Sequence, residues 1–185
     1  MQEFELLSLS HFLGFCICLA AIVFIPKLIQ AKPGLENFSK YLLIFLLVEN
    51  QIRSTYVETL IKGGNLLENL PLHLCDFSAI VIAVFLLTGF RPLFIFAYFW
   101  GIAGAGMSIL TPDSEFAFPH YEYFATMYGH SLILLAVVFS IVNLGQRPYL
   151  KDIPKLIFYS SILLAIMYGI NYILGANYWY LNERP

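Results

Sequence analysis

One small set of side chains in this sequence goes beyond what packing needs. Glu49, Asn50 and Arg53 stand together, as do His73, Cys75 and Asp76; Glu122, Thr126 and His130 follow at intervals of four, and Asn171 and Tyr172 come later. A histidine takes up and returns protons near neutral pH, a neighbouring carboxylate can fix its tautomer, and a cation or amide can face a developing oxyanion. Together these types suit acyl transfer or ester hydrolysis. The catalytic candidates are His130, His73, Asp76 and Cys75, and the substrate-binding candidates are Asn50, Arg53, Glu122, Thr126, Asn171 and Tyr172.

Helical geometry restricts the pairings. Cys75 lies about 200° round a helix from His73, so a base for its thiol is expected to be His130. In the other route a histidine deprotonates a hydroxyl directly, and Cys75 is a small packing residue. A structural reading runs alongside: Glu49 with Arg53, or Arg53 with Asp76, as an ion pair, and His73 with Asp76 as a hydrogen bond. His73, Asp76 and His130, with Glu122 nearby, form a conceivable metal donor set. The chain has only four histidines and no HExxH, however, so metal chemistry ranks below acyl chemistry and no cofactor is expected. Cys16 and Cys18 read as packing residues. His11 and His120, with Tyr121, Tyr123, Tyr178, Trp179 and Tyr180, read as an outer interfacial layer.

The elements that must hold these residues are membrane helices. Of 185 residues, 59% are hydrophobic and only 12% charged, against roughly 25% charged in a soluble domain. A soluble globule of this size cannot hide so much apolar surface, which excludes soluble enzymes, nucleic-acid binders and secreted scaffolds. The net charge of −2 includes no basic block, and three cysteines do not make a disulfide framework. Runs free of Asp, Glu, Lys and Arg, together with first-turn prolines at 71, 92 and 154, predict six spanning helices near 6–28, 38–60, 71–90, 92–111, 121–144 and 154–177. The second has a polar inner face carrying Glu49 and Arg53. The expectation is an all-α, single six-helix transmembrane domain over 1–185, with no soluble part. The first helix is expected to be retained, because Glu3 and Glu5 stand where a signal peptide has basic residues.

Loop charges set the expected orientation. Seven Lys and Arg residues (27, 32, 40, 91, 147, 151 and 155) fall on one side and two (62 and 184) on the other, which puts both ends of the sequence outside the cytoplasm of a plasma membrane. Glu49, Asn50, Arg53, His73, Asp76, Glu122 and His130 then share the outer leaflet half, with His130 about 12 Å below the start of its helix. Intramembrane charges are costly and turn inward, so a single polar pocket is expected there. Ala97, Gly101 and Ala105 form a small-residue face for close helix packing. A non-enzymatic bundle that binds or passes a small neutral or cationic solute is the alternative.

The stretches NLPLHLCDFSAI, FWGIAGAGMSILTPD, FPHYEYFATMYGHSLILLA and GANYWYLNERP resemble, in order and spacing, the YwaF-like family of bacterial integral membrane proteins, from about Glu49 onward. More distantly the chain is similar to eukaryotic polytopic membrane proteins that include an ether-phospholipid acyltransferase and the androgen-induced hydrolases of lipid esters. The resemblance implies an acyl-chemistry role for His130 and a lipid or acyl-donor substrate in the bilayer. It leaves the oligomeric state open. In the acyltransferase the cysteine directly precedes the helix-3 histidine, where this chain has Leu72, so Cys75 is not a residue-for-residue match.

Overall fold

The computed structural model describes residues 3–182. Among these the chain is helical, with no strand beyond a backbone bridge pairing Glu3 with Phe116. α1 (Leu9–Gln30) begins at Ser8, whose hydroxyl accepts from the His11 amide at 3.3 Å. α2 (Glu36–Tyr56) runs on through a π turn, Val57–Ile61. α3 is Leu74–Thr88. α4 (Arg91–Trp100), a π turn at Gly101–Ala105 and α5 (Gly106–Leu110) form one rod. α6 is Tyr121–Val142 and α7 is Ile153–Leu174. The result is six helical rods.

Pro92 and Pro154 sit in the first turns of α4 and α7, where a missing N–H costs nothing. Pro71 does not open α3, which begins three residues later than expected. The cause is tertiary. The Tyr178 hydroxyl donates to the Leu67 carbonyl and accepts from the Leu70 amide, while the Trp179 indole donates to the Leu72 carbonyl. Held this way, the chain stays out of the helix until His73, which caps α3 with an extended backbone. Gly89 ends α3 in the left-handed conformation that glycine adopts without steric cost.

α3 is the central rod. Ala79, Ile82, Phe85 and Leu86 pack against Leu43 and Leu47 of α2, Phe94 and Ala97 of α4, and Ile133, Ala136 and Val137 of α6. The small-residue face does what its spacing implies: a Cβ on Gly101 would meet the Ile133 side chain at 3.0 Å, so α6 packs directly on this backbone. α1 and α7 lie at the periphery, with long apolar faces exposed. In water such faces would drive association, and in a bilayer they meet acyl chains. Leu9–Gln30, Arg91–Leu110, Tyr121–Val142 and Leu150–Leu174 are long and apolar enough to cross a membrane. α2 carries Glu49 and Arg53 mid-helix, and α3 is a shorter apolar helix of 15 residues.

Successive rods alternate in direction. At one end the Phe4 amide donates to the Glu115 carbonyl, Lys62 pairs with Glu122, and Tyr178 reaches Leu67. At the other, Gln30 donates to the Val142 carbonyl and Arg91 pairs with Asp152. The polar candidates gather at the first end.

Candidate functional site

The last turns of α2 and the first turns of α6 enclose a cavity of about 410 Å³. α2 lines it with Asn50, Gln51, Arg53, Ser54 and, from its π turn, Glu58. α3 adds Cys75 and Asp76, the connection before α6 adds Asp113 and Glu115, and α6 adds Tyr121, Glu122, Thr126 and His130.

Arg53 organises the α2 wall. Its guanidinium donates to Asn50 Oδ1 and to the Tyr121 hydroxyl, both at 2.5 Å, pairs with Glu49 at 3.2 Å, and lies over the Tyr128 ring. The ion pair with Glu49 is therefore formed, and Asp76 takes no part in it. Because Asn50 Oδ1 is engaged as acceptor, Nδ2 is the donor that this amide has left to offer. It packs against bare backbone: a Cβ on Gly129 would lie 2.9 Å from that nitrogen.

Asp76 is tied down locally. Its carboxylate lies beside the His73 backbone N–H and the Gln51 side chain; as the third residue of α3, with His73 as cap, Asp76 stands at the position of a capping-box acceptor. The tautomer of His130 is set by a different group. His130 Nδ1 lies 2.7 Å from the Thr126 carbonyl, one turn back on α6. A carbonyl only accepts, so Nδ1 carries the proton and Nε2 keeps its lone pair. In place of a neighbouring carboxylate, a backbone oxygen fills this role.

Cys75 sits where the rod opposite is thinnest. Its Sγ is 3.2 Å from where a Gly104 Cβ would be, at the π turn, and it lies beside Ser108, whose hydroxyl donates to the Gly104 carbonyl. At the mouth, Lys62 bridges Glu58 at 3.1 Å and Glu122 at 2.6 Å, and the two carboxylates hold its pKa above the ordinary lysine value.

Three of the ten candidates lie next door. His73, Asn171 and Tyr172 line a groove of about 690 Å³, and a smaller pocket of about 120 Å³ shares His73 with this groove and Asp76 with the first cavity. His73 makes ring contacts with Tyr178 and Tyr180 at 5.0 and 5.7 Å. Asn171 is buried and holds the backbone of Tyr178 from both sides, Nδ2 donating to its carbonyl and Oδ1 accepting from its amide, each at 2.8 Å. Tyr172 is exposed.

Several readings of the polar periphery change. His11 is buried against the Ile109 carbonyl, and Tyr123 and Tyr178 are core residues, so these three side chains face the protein interior. His120 accepts from the Glu122 amide and caps α6. Gln51, Ser54, Glu58, Lys62, Asp113 and Glu115 line the cavity although sequence reasoning passed over them. Gln51, Ser54 and Glu58 follow at i, i+3 and i+7, a helical stripe that spacing alone shows. Among the described residues, no group of three His, Cys, Asp or Glu side chains is disposed to hold a metal ion.

The profile of the TMEM164 family matches residues 4–185. The chain belongs to the TMEM164 family. This overturns the YwaF-like resemblance, since the matched family covers nearly the whole chain, including every stretch on which that resemblance rested. A protein of Treponema pallidum (strain Nichols), described as "Uncharacterized protein", is 30% identical over 128 residues, covering 69% of this chain and 53% of that protein. The TMEM164-family chain thus spans about half the length of this curated relative. No solved structure matches it.

Proposed function

We propose that this TMEM164-family chain is a six-crossing membrane enzyme of lipid acyl groups, with both ends of the sequence outside the cytoplasm and its cavity in the outer half of the plasma membrane. The observation that carries this reading is His130: Nδ1 is spent on the Thr126 carbonyl, and Nε2 is left as the proton acceptor of a residue lining a polar cavity. The same cavity is lined by a thiol, Cys75, and by Arg53 and Asn50, which carry the donors an acyl oxyanion needs.

In the direct route Nε2 takes the proton of an attacking hydroxyl as its oxygen bonds to the acyl carbon. The ester C–O bond of the donor then breaks, and His130 returns the proton to the departing oxygen. In the covalent route Cys75 Sγ attacks first, its proton passing to Nε2; the donor's ester C–O bond breaks, its oxygen leaves with that proton, and a thioester remains. A lipid hydroxyl or water then attacks the thioester, giving its proton to Nε2, and the C–S bond breaks as that proton returns to Sγ. Lipidomics of membranes carrying the wild type, His130→Ala and Cys75→Ala tests both. Loss of the lipid change in His130→Ala supports the reading, and retention in Cys75→Ala selects the direct route. Loss in Cys75→Ala, with wild-type labelling by a thiol-reactive acyl probe, selects the thioester.

One observation favours a second reading, solute binding or passage. Glu58, Asp113, Glu115 and Glu122 outnumber Lys62 around the mouth, which suits a cationic or neutral solute. If no lipid changes and neither variant differs from wild type, uptake of such a solute becomes the assay.

A further inference from the structure

The opposite end of the bundle has a cleft that the acyl reading does not use. The first half of α7 is poorly packed: its buried residues, Met167 and Asn171, both lie in the second half. An ion pair just before α7 and a ring contact within it join this region to α4. At the base, Arg91 grips Asp152 with two hydrogen bonds, Nη1 to Oδ1 at 3.0 Å and Nη2 to Oδ2 at 2.7 Å. Further along, the rings of Phe96 and Tyr159 meet edge-on at 6.3 Å. Between these points the helices stand apart and leave a cleft of about 410 Å³.

The lining is amphipathic. Phe96, Leu156 and Tyr159 supply apolar walls, and the charged groups lie at one end. There Arg91 and Asp152 neutralise each other, but Lys155 has no carboxylate within ion-pairing distance among the described residues. A slot with greasy walls and one uncompensated cation at its mouth is complementary to an anionic head on an acyl chain. Lys151 and Arg147 lie at this same end, which the loop charges assign to the anionic, cytoplasmic leaflet.

We infer that the α4–α7 cleft is a binding site for one anionic phospholipid, its phosphate at Lys155 and one acyl chain laid between Phe96, Leu156 and Tyr159. The bound chain fills the gap and fastens the first half of α7 to the bundle. The inference rests on the membrane reading and is independent of acyl chemistry at the other end.

The test is native mass spectrometry of the full chain in mild detergent, titrated with phosphatidylglycerol or phosphatidylcholine. Phosphatidylglycerol is expected to be retained as one molecule per chain, at least about fivefold better than phosphatidylcholine, in line with one lysine acting at the membrane surface. Lys155→Glu is expected to abolish the preference, while Lys151→Glu, whose ammonium lies over the Tyr149 ring, keeps it. Leu156→Trp fills the cleft without touching the charge and is expected to lower binding of both lipids while the protein stays monodisperse. Equal retention of the two lipids, a preference surviving Lys155→Glu, or unchanged lipid binding in Leu156→Trp overturns the site. So does a dimer cross-linked through Tyr159, because the occupant would then be a second copy.

Discussion

His130 Nδ1 and the Thr126 carbonyl oxygen, 2.7 Å apart along α6, decide which nitrogen of that imidazole is free. The partner is main chain, so the Thr126 hydroxyl is dispensable for the tautomer. Thr126→Ala is expected to keep activity within a fewfold of wild type. His130→Asn can still donate to that carbonyl through its amide but has nothing in place of Nε2. It is expected to fold and to lose on the order of 10²- to 10⁴-fold, the usual worth of a general base. Lipid turnover per folded protein checks both; an active His130→Asn removes His130 from the mechanism.

Asn50 and Gly129 should behave as a coupled pair. A methyl on Gly129 falls 2.9 Å from Asn50 Nδ2, closer than a stable contact allows, and the amide is held from its other side by Arg53. Gly129→Ala is therefore expected to cost roughly 1–3 kcal/mol, as overpacking does. Removing the amide makes room, so Asn50→Ala with Gly129→Ala should cost less than the two separate losses added together. Thermal unfolding of the four-member cycle reads the coupling directly. Additive losses would mean that α2 and α6 adjust their spacing instead of clashing.

How much of this was legible beforehand follows the same logic. The helical class, the positions of all six rods to within a few residues, and the small-residue face come from hydropathy runs and spacing four, which are local properties. The start of α3 was not legible. Pro71 is a good first-turn residue, but Tyr178 and Trp179, more than a hundred residues away, hold the carbonyls and an amide that a helix would have used. The site divides along the same line. Seven of the ten candidates lie on one cavity because heptad-like spacing puts them on inward faces. His73, Asn171 and Tyr172 lie on the adjoining groove, and no periodicity shows where the chain folds back after Gly175. The YwaF-like resemblance failed for a related reason: short quoted stretches carry less information than a profile over the whole chain.

Asn171 is a structural pin, which separates it from the candidates that line the first cavity. It is buried, and both polar ends of its amide are spent on the Tyr178 backbone. Asn171→Ala leaves a buried N–H and C=O without partners, at about 1–3 kcal/mol for each group left unsatisfied. The expected result is a clear fall in melting temperature with little change in turnover per folded molecule. Asn171→Asp restores the acceptor for the Tyr178 amide but not the donor, and should recover part of the loss. A variant as stable as wild type but inactive would return Asn171 to substrate binding.

The crossing count is decided by α2 and α3, the two rods whose polarity or length falls short. Lys62, just past the end of α2, pairs with Glu122 at the start of α6, while Gln30 at the end of α1 reaches Val142 at the end of α6. The connections flanking α2 thus lie at opposite ends of α6, itself long and apolar enough to cross. α2 must then cover the same distance, although Glu49 and Arg53 make it costly in lipid; their mutual ion pair and the cavity that Arg53 lines lower that cost. Reporter fusions at Gly34, Gly63, Gly89, Gly145 and after Asn182 are expected to read cytoplasmic at Gly34, Gly89 and Gly145 and external at Gly63 and Asn182. A cytoplasmic signal at Gly63 would make α2 and α3 a re-entrant pair. Cytoplasmic signal at Asn182 with external signal at Gly145 would invert the protein, moving the His130 cavity to the inner leaflet.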